Sequence, residues 1–254
     1  METLACIKRV PETGARTVLT DDKQEIDTSN LGFTISPHEE CGVEEAVQLA
    51  EDHDGTATAL TLGPADADEQ LRTAIAMGAD DAILLETEGG EWRPSRTADA
   101  IATAVENHDT EFDLLIFGNE SADSQNYQVG VRVATALDLP CVTGIKGLTV
   151  DSAAGTAVAE REIPGGVERY ELDLPAVIAV KEGLNEPRYP SMRAKMQARR
   201  AEIERVEPAG AGVEGYQKVE LEVPETDESE AEILGESPDA APEVVDILEE
   251  LEVV

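Results

Sequence analysis

Cations and aromatic rings are both scarce in this sequence. Lysine and arginine number 19 against 55 aspartates and glutamates, leaving a formal net charge of -36, and aromatics make up only 3% of the 254 residues. So few basic residues disfavour nucleic-acid binding, since phosphate contacts need a basic face. So few rings leave the core to Ala, Val, Leu and Ile. The three cysteines, Cys6, Cys41 and Cys141, are scattered. They offer neither metal-ligand spacing nor an even disulfide framework, and read as small, reduced core residues. No apolar run approaches the ~20 residues that cross a bilayer. The first residues, METLACIKRV, lack the apolar stretch of a signal peptide, so a soluble, cytoplasmic protein is expected. No P-loop occurs, and no Gly-x-Gly-x-x-Gly run links an expected strand to an expected helix, which disfavours both standard nucleotide motifs. Charge of one sign spread through nearly every segment repels itself at low salt. The expectation is a salt-rich cytoplasm of the kind found in halophilic archaea. The rival reading is a surface made acidic to meet a basic partner.

What the chain does contain is 41% hydrophobic residues arranged in alternation. Short apolar runs alternate with amphipathic stretches, the pattern of a doubly wound, mainly parallel α/β sheet of Rossmann-like type. Strands are expected at Thr3–Val10, Thr56–Leu62, Ala82–Leu85, Leu114–Phe117 and Cys141–Ile145. Helices are expected at Val43–Glu51, at Asp68–Met77 with Leu71, Ala74 and Ile75 buried, from a Ser95 cap to Asn107, and at Tyr127–Leu137. The rhythm then changes. Gly147–Val150, Ala157–Glu162 and Val167–Leu172 read as an antiparallel extension, separated by Gly155 and the Pro164-Gly165-Gly166 turn, before Pro175–Val180 returns as a buried strand.

Domain organisation follows composition. Residues 1–206 read as one nucleotide-binding α/β domain and 207–254 as an acidic arm. From Val206 onward Lys218 is the only cation, and Val223–Asp239 is rich in Pro, Glu, Asp and Ser. The arm ends in an amphipathic helix with Pro242 in its first turn and Val245, Leu248 and Leu251 apolar. A helix this short is marginal alone and is expected to dock.

Three segments carry candidate chemistry. After the fourth strand comes Gly118-Asn119-Glu120-Ser121-Ala122-Asp123-Ser124-Gln125-Asn126-Tyr127-Gln128-Val129-Gly130. A polar loop there, opening a helix, is where α/β sheets hold ligands, and the helix start suits a phosphate. The alternative is a plain capped loop. Cys6 and Leu62-Gly63 end neighbouring strands, and Ser36-Pro37-His38-Glu39 reads first as an N-cap with proline in the first turn. The loop Leu184-Asn185-Glu186-Pro187-Arg188-Tyr189 enters a basic helix capped by Ser191. Seven of the nineteen cations (Lys181, Arg188, Arg193, Lys195, Arg199, Arg200 and Arg205) cluster there. That clustering is either local charge balance or a docking surface for an acidic partner or flavin phosphates. His38, His53 and His108 form no triad or metal pattern and read as surface or loop residues.

The Leu184–Tyr189 loop with its basic helix resembles the signature of electron transfer flavoprotein beta subunits. Lys8-Arg9-Val10, Val43-Glu44-Glu45-Ala46-Val47, Gly63-Pro64, Leu71–Asp80 and Glu160-Arg161-Glu162 agree in order, so the resemblance runs from about Thr3 to Arg205. It implies an electron carrier rather than an enzyme, with no catalytic side chain. It also implies a heterodimer with an alpha subunit that holds or shares FAD. This chain would hold a second nucleotide, AMP in simple carriers or FAD in electron-bifurcating ones. By resemblance the nucleotide touches Cys6, Ser36, Pro37, His38, Glu39, Leu62, Gly63 and the loop Asp123, Ser124, Gln125, Asn126, Tyr127, Gln128, Val129 and Gly130. Leu184 to Tyr189 would dock flavin dehydrogenases or a quinone oxidoreductase, with Leu184 as the anchor. Gln128-Val129-Gly130 leans to the bifurcating group and Leu184–Tyr189 to the simple carriers, so both stay open. The competing classes are a stand-alone, stress-type ATP-binding protein and an enzyme that hydrolyses or transfers adenylate.

Overall fold

The computed structural model describes residues 1–12, 17–209, 218–224, 233–235 and 237–251. They fall into two compact units: Met1–Arg16 with Asp27–Gln217, and Thr17–Ile26 with Lys218–Val254.

The first unit opens with β1 (Thr3–Ile7), a short antiparallel pair of β2 (Val10–Pro11) and β3 (Phe33–Thr34), and helix α1 (Pro37–Asp52). There follow β4 (Ala57–Gly63), α2 (Asp68–Met77), β5 (Asp81–Glu86), α3 (Pro94–Asn107), β6 (Leu114–Gly118), α4 (Val129–Ala136) and β7 (Cys141–Ile145). An antiparallel sheet of β8 (Gly147–Asp151), β9 (Thr156–Ile163) and β10 (Gly166–Asp173) comes next. The chain then adds β11 (Ala176–Val180), α5 (Met192–Ala198) and β12 (Glu204–Val206). The main sheet is parallel throughout, in the order β12-β5-β4-β1-β6-β11-β7. This is the expected doubly wound α/β architecture with an antiparallel extension.

Alternate residues along each strand serve opposite faces. Ala5 and Ile7 of β1 join the core beneath α1 and α2, with Val43, Val47, Leu71 and Met77. Leu4 and Cys6 join the core beneath α3 and α4, with Ile101 and Val133. Strands buried on both faces read as unbroken apolar runs, which is why β6 and β11 were visible in the sequence.

Several boundaries differ from expectation. The first strand stops at Ile7, and Val10 belongs to the small β2–β3 pair. Helix α1 starts six residues earlier than Val43, because Ser36 is its N-cap, Pro37 its first residue, and Glu39 reaches back to the Ser36 N–H at 3.4 Å. Gly42 hid this turn from a periodicity reading. Its missing side chain lets the helix sit on the sheet, where a Cβ would lie 3.3 Å from Ile116. Ser95 is not a cap, since Pro94 takes the first helical position and Arg93 the N-cap. Tyr127 lies outside α4, in a left-handed conformation at φ 56°. Ile75 is half-buried rather than buried. Strand β12 was not foreseen; it closes the sheet edge beside β5, where Arg205 binds Asp68 at 2.7 Å and also Glu86.

In the second unit Leu19 and Ile26 bridge a hairpin, and the Leu221 N–H donates to the Lys23 carbonyl at 2.8 Å. Helix α6 (Ala241–Glu250) has the expected proline start, with Val244, Val245 and Ile247 exposed. Most of the expected acidic stretch 223–239 lies outside the described residues.

Candidate functional site

The sheet changes direction beside β1. The chain moves outward through β4 and β5, then returns to place β6 on the other side of β1. Ligands of open α/β sheets bind at the carboxyl ends of strands flanking such a switch. Register sets Cys6 beside Phe117 and Ile7 beside Thr61, so Leu62 and Gly63 extend just past the end of β1. Lys8, the N-terminus of α1, and the loop after β6 meet above these ends.

Close packing draws them together. A Cβ on Gly118 would lie 2.6 Å from the Glu39 Cγ and 3.3 Å from the His38 Cβ, so only glycine lets β6 end against the first turn of α1. A Cβ on Gly130 would lie 3.1 Å from the Phe117 ring, so the first turn of α4 also rests on β6. The Ser36 hydroxyl accepts from the Ala122 N–H at 3.1 Å. The buried Glu39 carboxylate accepts from the Lys8 N–H at 3.0 Å. The Lys8 ammonium reaches Asp123 Oδ2 at 2.6 Å, Oδ1 at 2.7 Å and Ser124 Oγ at 3.1 Å. Gln128 accepts the Arg132 guanidinium through Oε1 at 3.0 and 3.1 Å.

Between these anchors the loop is strained. Gln125 and Tyr127 both take positive φ, 47° and 56°. For residues other than glycine this costs on the order of 1–3 kcal/mol each and persists where the surroundings over-determine it. The Gln125 N–H is taken by the Ser121 carbonyl at 3.2 Å, so the donors this loop leaves for an anion lie beyond it. The loop leads into α4, whose first-turn N–H groups have no intrahelical acceptor. Nearby, the buried His38 Nδ1 has no hydrogen-bond partner and lies 4.0 Å from Glu120 Oε1. The site therefore offers backbone donors to a phosphate and one orphaned ring nitrogen. These features fit a phosphate-bearing nucleotide.

The electrostatics are mixed. Burial pushes the Glu39 carboxyl up to about 8, against the pull of the Lys8 and Ser36 N–H groups. Burial would also raise Asp123, but the Lys8 ammonium outweighs it and holds that carboxyl below its ordinary value. Burial, reinforced by Glu39, drives the Cys6 thiol far up, so it is no nucleophile. Among the described residues no group of His, Cys, Asp and Glu could hold a metal ion.

The second candidate region lies away from the crevice. Ser191 caps α5 as expected, accepting from the Ala194 N–H at 3.1 Å. Leu184 is half-buried and packs on the chain's own core. The apolar surface here belongs instead to Tyr189 at 89% exposure, Met192 at 75% and the exposed Met196. Of the clustered cations, Arg188 binds Glu44 and Glu51, and Arg205 binds Asp68 and Glu86, so for those two charge balance is the explanation. Arg193, Arg199 and Arg200 are exposed around the methionines. His38 sits in the first turn of α1 rather than in a loop, while His53 and His108 end α1 and α3. Sequence reasoning passed over Lys8 and the Arg188–Glu44 pair. Lys8 was read only with Arg9 and Arg188 only within the cation cluster, and the acidic partner of each lies more than a hundred positions away.

A parallel sheet whose strand order reverses beside β1 places this chain in the doubly wound class of α/β proteins. A family model described as the electron transfer flavoprotein domain matches residues 25–211. The electron transfer flavoprotein subunit beta of Bacillus subtilis is 37% identical over 207 residues, covering 82% of this chain and 79% of that protein. That of Mycobacterium tuberculosis (strain H37Rv) is 36% identical over 214 residues, with 82% and 79% covered. The human protein of the same name is 32% identical over 225 residues, with 87% of each chain covered. The chain belongs to the electron transfer flavoprotein beta-subunit family.

Proposed function

We propose that this chain is the beta half of an electron-carrying heterodimer, holding an adenine nucleotide, AMP or FAD, in the crevice between β1 and β6. Its partner is an electron transfer flavoprotein alpha subunit, which holds or shares the redox-active FAD. The observation that carries the reading is the loop Asp123–Gly130, whose strained backbone leads into a helix start with N–H donors beside the switch point of the sheet. Cys6, Ser36 to Glu39, Leu62 and Gly63 line the rest of that crevice. Flavin supplies the redox chemistry when bound; this chain's residues supply position and local field.

The docking surface for flavin dehydrogenases or a quinone oxidoreductase is the Leu184–Tyr189 loop with the start of α5. Tyr189, Met192 and Met196 provide the exposed apolar contact, ringed by Arg193, Arg199 and Arg200, which suits a partner with an acidic rim. Leu184 and Arg188 support that surface from below. Residues 1–206 form the nucleotide-binding domain and 207–254 the arm, and the charge balance fits a cytoplasm rich in salt. Among the described residues no helix is long and apolar enough to cross a membrane.

Co-expression with the alpha subunit tests the reading. A yellow heterodimer that releases AMP and FAD in equal amounts on denaturation supports a simple carrier. Two FAD per dimer supports electron bifurcation, the alternative favoured by Gln128-Val129-Gly130. A colourless chain that binds and turns over ATP without a partner would reject both.

A further inference from the structure

We propose that Lys8 is a positioning residue for the phosphate-binding loop, acting through Asp123 and Ser124 rather than touching the nucleotide; the inference rests on the nucleotide reading above. A lysine ammonium has three N–H donors and no acceptor. Here the acceptors are Asp123 Oδ1 at 2.7 Å, Asp123 Oδ2 at 2.6 Å and Ser124 Oγ at 3.1 Å, the two carboxylate oxygens sharing one N–H between them. The ammonium is thus turned toward the loop, its charge matched by Asp123. The Lys8 backbone is committed too, its N–H donating to Glu39 at 3.0 Å.

What Lys8 holds is the entrance of the strained loop. The Ser124 N–H donates to Asp123 Oδ1 at 2.7 Å, Ser124 Oγ lies 3.0 Å from Ser121 Oγ, and the Gln125 N–H donates to the Ser121 carbonyl at 3.2 Å. The left-handed residues Gln125 and Tyr127 follow directly. One ammonium from the end of β1 thus fixes the two residues that precede the first left-handed turn. Neutralisation is the other half of the role. Glu120 and Asp123 flank the crevice with carboxylates, and an unpaired, half-buried Asp123 would both repel a phosphate and let the loop relax. Without Lys8 the backbone amides lose their convergence, whatever the number of phosphates on the ligand.

That independence separates positioning from direct binding. Calorimetric titration of the full-length chain with AMP, ADP and ATP should find Lys8→Met weaker by about tenfold, roughly 1.4 kcal/mol, with one factor for all three nucleotides. Asp123→Ala should weaken binding to a similar extent. The double variant should be no worse than either single, because the two residues act as one unit. Lys8→Arg should restore most of the affinity, since a guanidinium can span both Asp123 oxygens. A loss growing from AMP to ATP, or tighter binding by Asp123→Ala, would make Lys8 a direct ligand and overturn the proposal. Unchanged affinity in Lys8→Met would remove its role altogether. If Lys8→Met does not fold, Asp123→Ala still gives opposite results under the two accounts. A wild-type chain that binds none of the three nucleotides sinks the nucleotide reading itself, and this inference with it.

Discussion

Arg188 grips Glu44 from three directions. Its Nε donates to Glu44 Oε2 at 2.9 Å, its backbone N–H to the same oxygen at 3.0 Å, and its Nη2 to Oε1 at 3.2 Å. The far side of the guanidinium reaches Glu51 at 2.8 and 3.0 Å, two turns along the same helix. Burial would raise the Glu44 carboxyl, but the Arg188 bonds outweigh it and hold it below its ordinary value. Asn185 adds bonds to the Cys41 carbonyl at 3.0 Å and to Glu45 at 2.9 Å. Helix α1 therefore meets the candidate crevice with its N-terminus and carries the docking loop along its body.

Removing that arginine should cost stability. Glu44 is only 4% exposed, so Arg188→Gln leaves a buried carboxylate short of its strongest donors. The expected loss in urea unfolding is about 2 kcal/mol. Adding Glu44→Gln should recover part of it, since the buried charge is then gone. Lysine should not rescue, having no fork to span Glu44 and Glu51. A double variant as unstable as the sum of the singles would mean that the pair is not coupled.

The same loop separates a supporting residue from a contacting one. Leu184 packs on the core, so Leu184→Ala should lower stability by roughly 1–2 kcal/mol, below the cost for a fully buried leucine. Met192→Ser and Tyr189→Ser are on exposed surface and should stay within about 0.5 kcal/mol of the parent. Stopped-flow electron exchange between the heterodimer and a flavin dehydrogenase should nonetheless slow in the two serine variants. Unimpaired exchange in both would move the docking surface elsewhere.

The resemblance and the alternation of apolar runs made the sheet legible, because β5, β6 and β11 are buried on both faces and leave unbroken apolar runs, while β4 is interrupted only by the buried Thr58 and Thr61. Helix α2 was legible to the residue, since Gly78 ends it in a conformation, φ 130°, that disfavours other residues. The start of α1 was not, because Gly42 interrupts the apolar stripe for packing reasons that only the sheet beneath explains. Strand β12 was illegible for another reason: at three residues it has no period, and its pairing with β5 is a tertiary fact. In the crevice, residue types around Asp123–Gly130 pointed to a loop at a strand end. The left-handed turns at Gln125 and Tyr127 carry no glycine to announce them, and the reach of Lys8 to Asp123 spans 115 positions.

Glu39 should give the folded chain a measurable pH signature. Its carboxyl titrates at about 8 when folded, against a reference value of 4.5. Lys8, Asp123 and the Cys6 thiol face it. Between those two values the folded chain keeps a proton that the unfolded chain has released. Stability therefore falls as pH rises through that window and levels off above it. In Glu39→Gln this contribution is absent. The stability difference, parent minus variant, should decline from pH 4.5 to 8 and then stay flat, as read by urea midpoints across the range. A difference that does not change with pH would mean that Glu39 is ionised throughout.

Salt should stabilise this protein rather than weaken it. Ion pairs such as Arg161–Glu168 and Lys146–Glu162 lose strength as salt rises, and that alone would lower the melting temperature. Nineteen cations cannot neutralise 55 acids, however, and the net charge of -36 repels itself. That repulsion acts over about 10 Å at 0.1 M salt and only about 3 Å at 1 M. Screening removes more repulsion than attraction. A gain of about 3 kcal/mol between 0.1 and 1 M KCl would raise the melting temperature by roughly 10 °C for a chain of this size. Potassium chloride is the salt of choice because it stabilises proteins only weakly by exclusion, unlike sulfate. A melting temperature that stays level or falls over that range would place the balance with the ion pairs, and the net charge would no longer account for the stability of the fold.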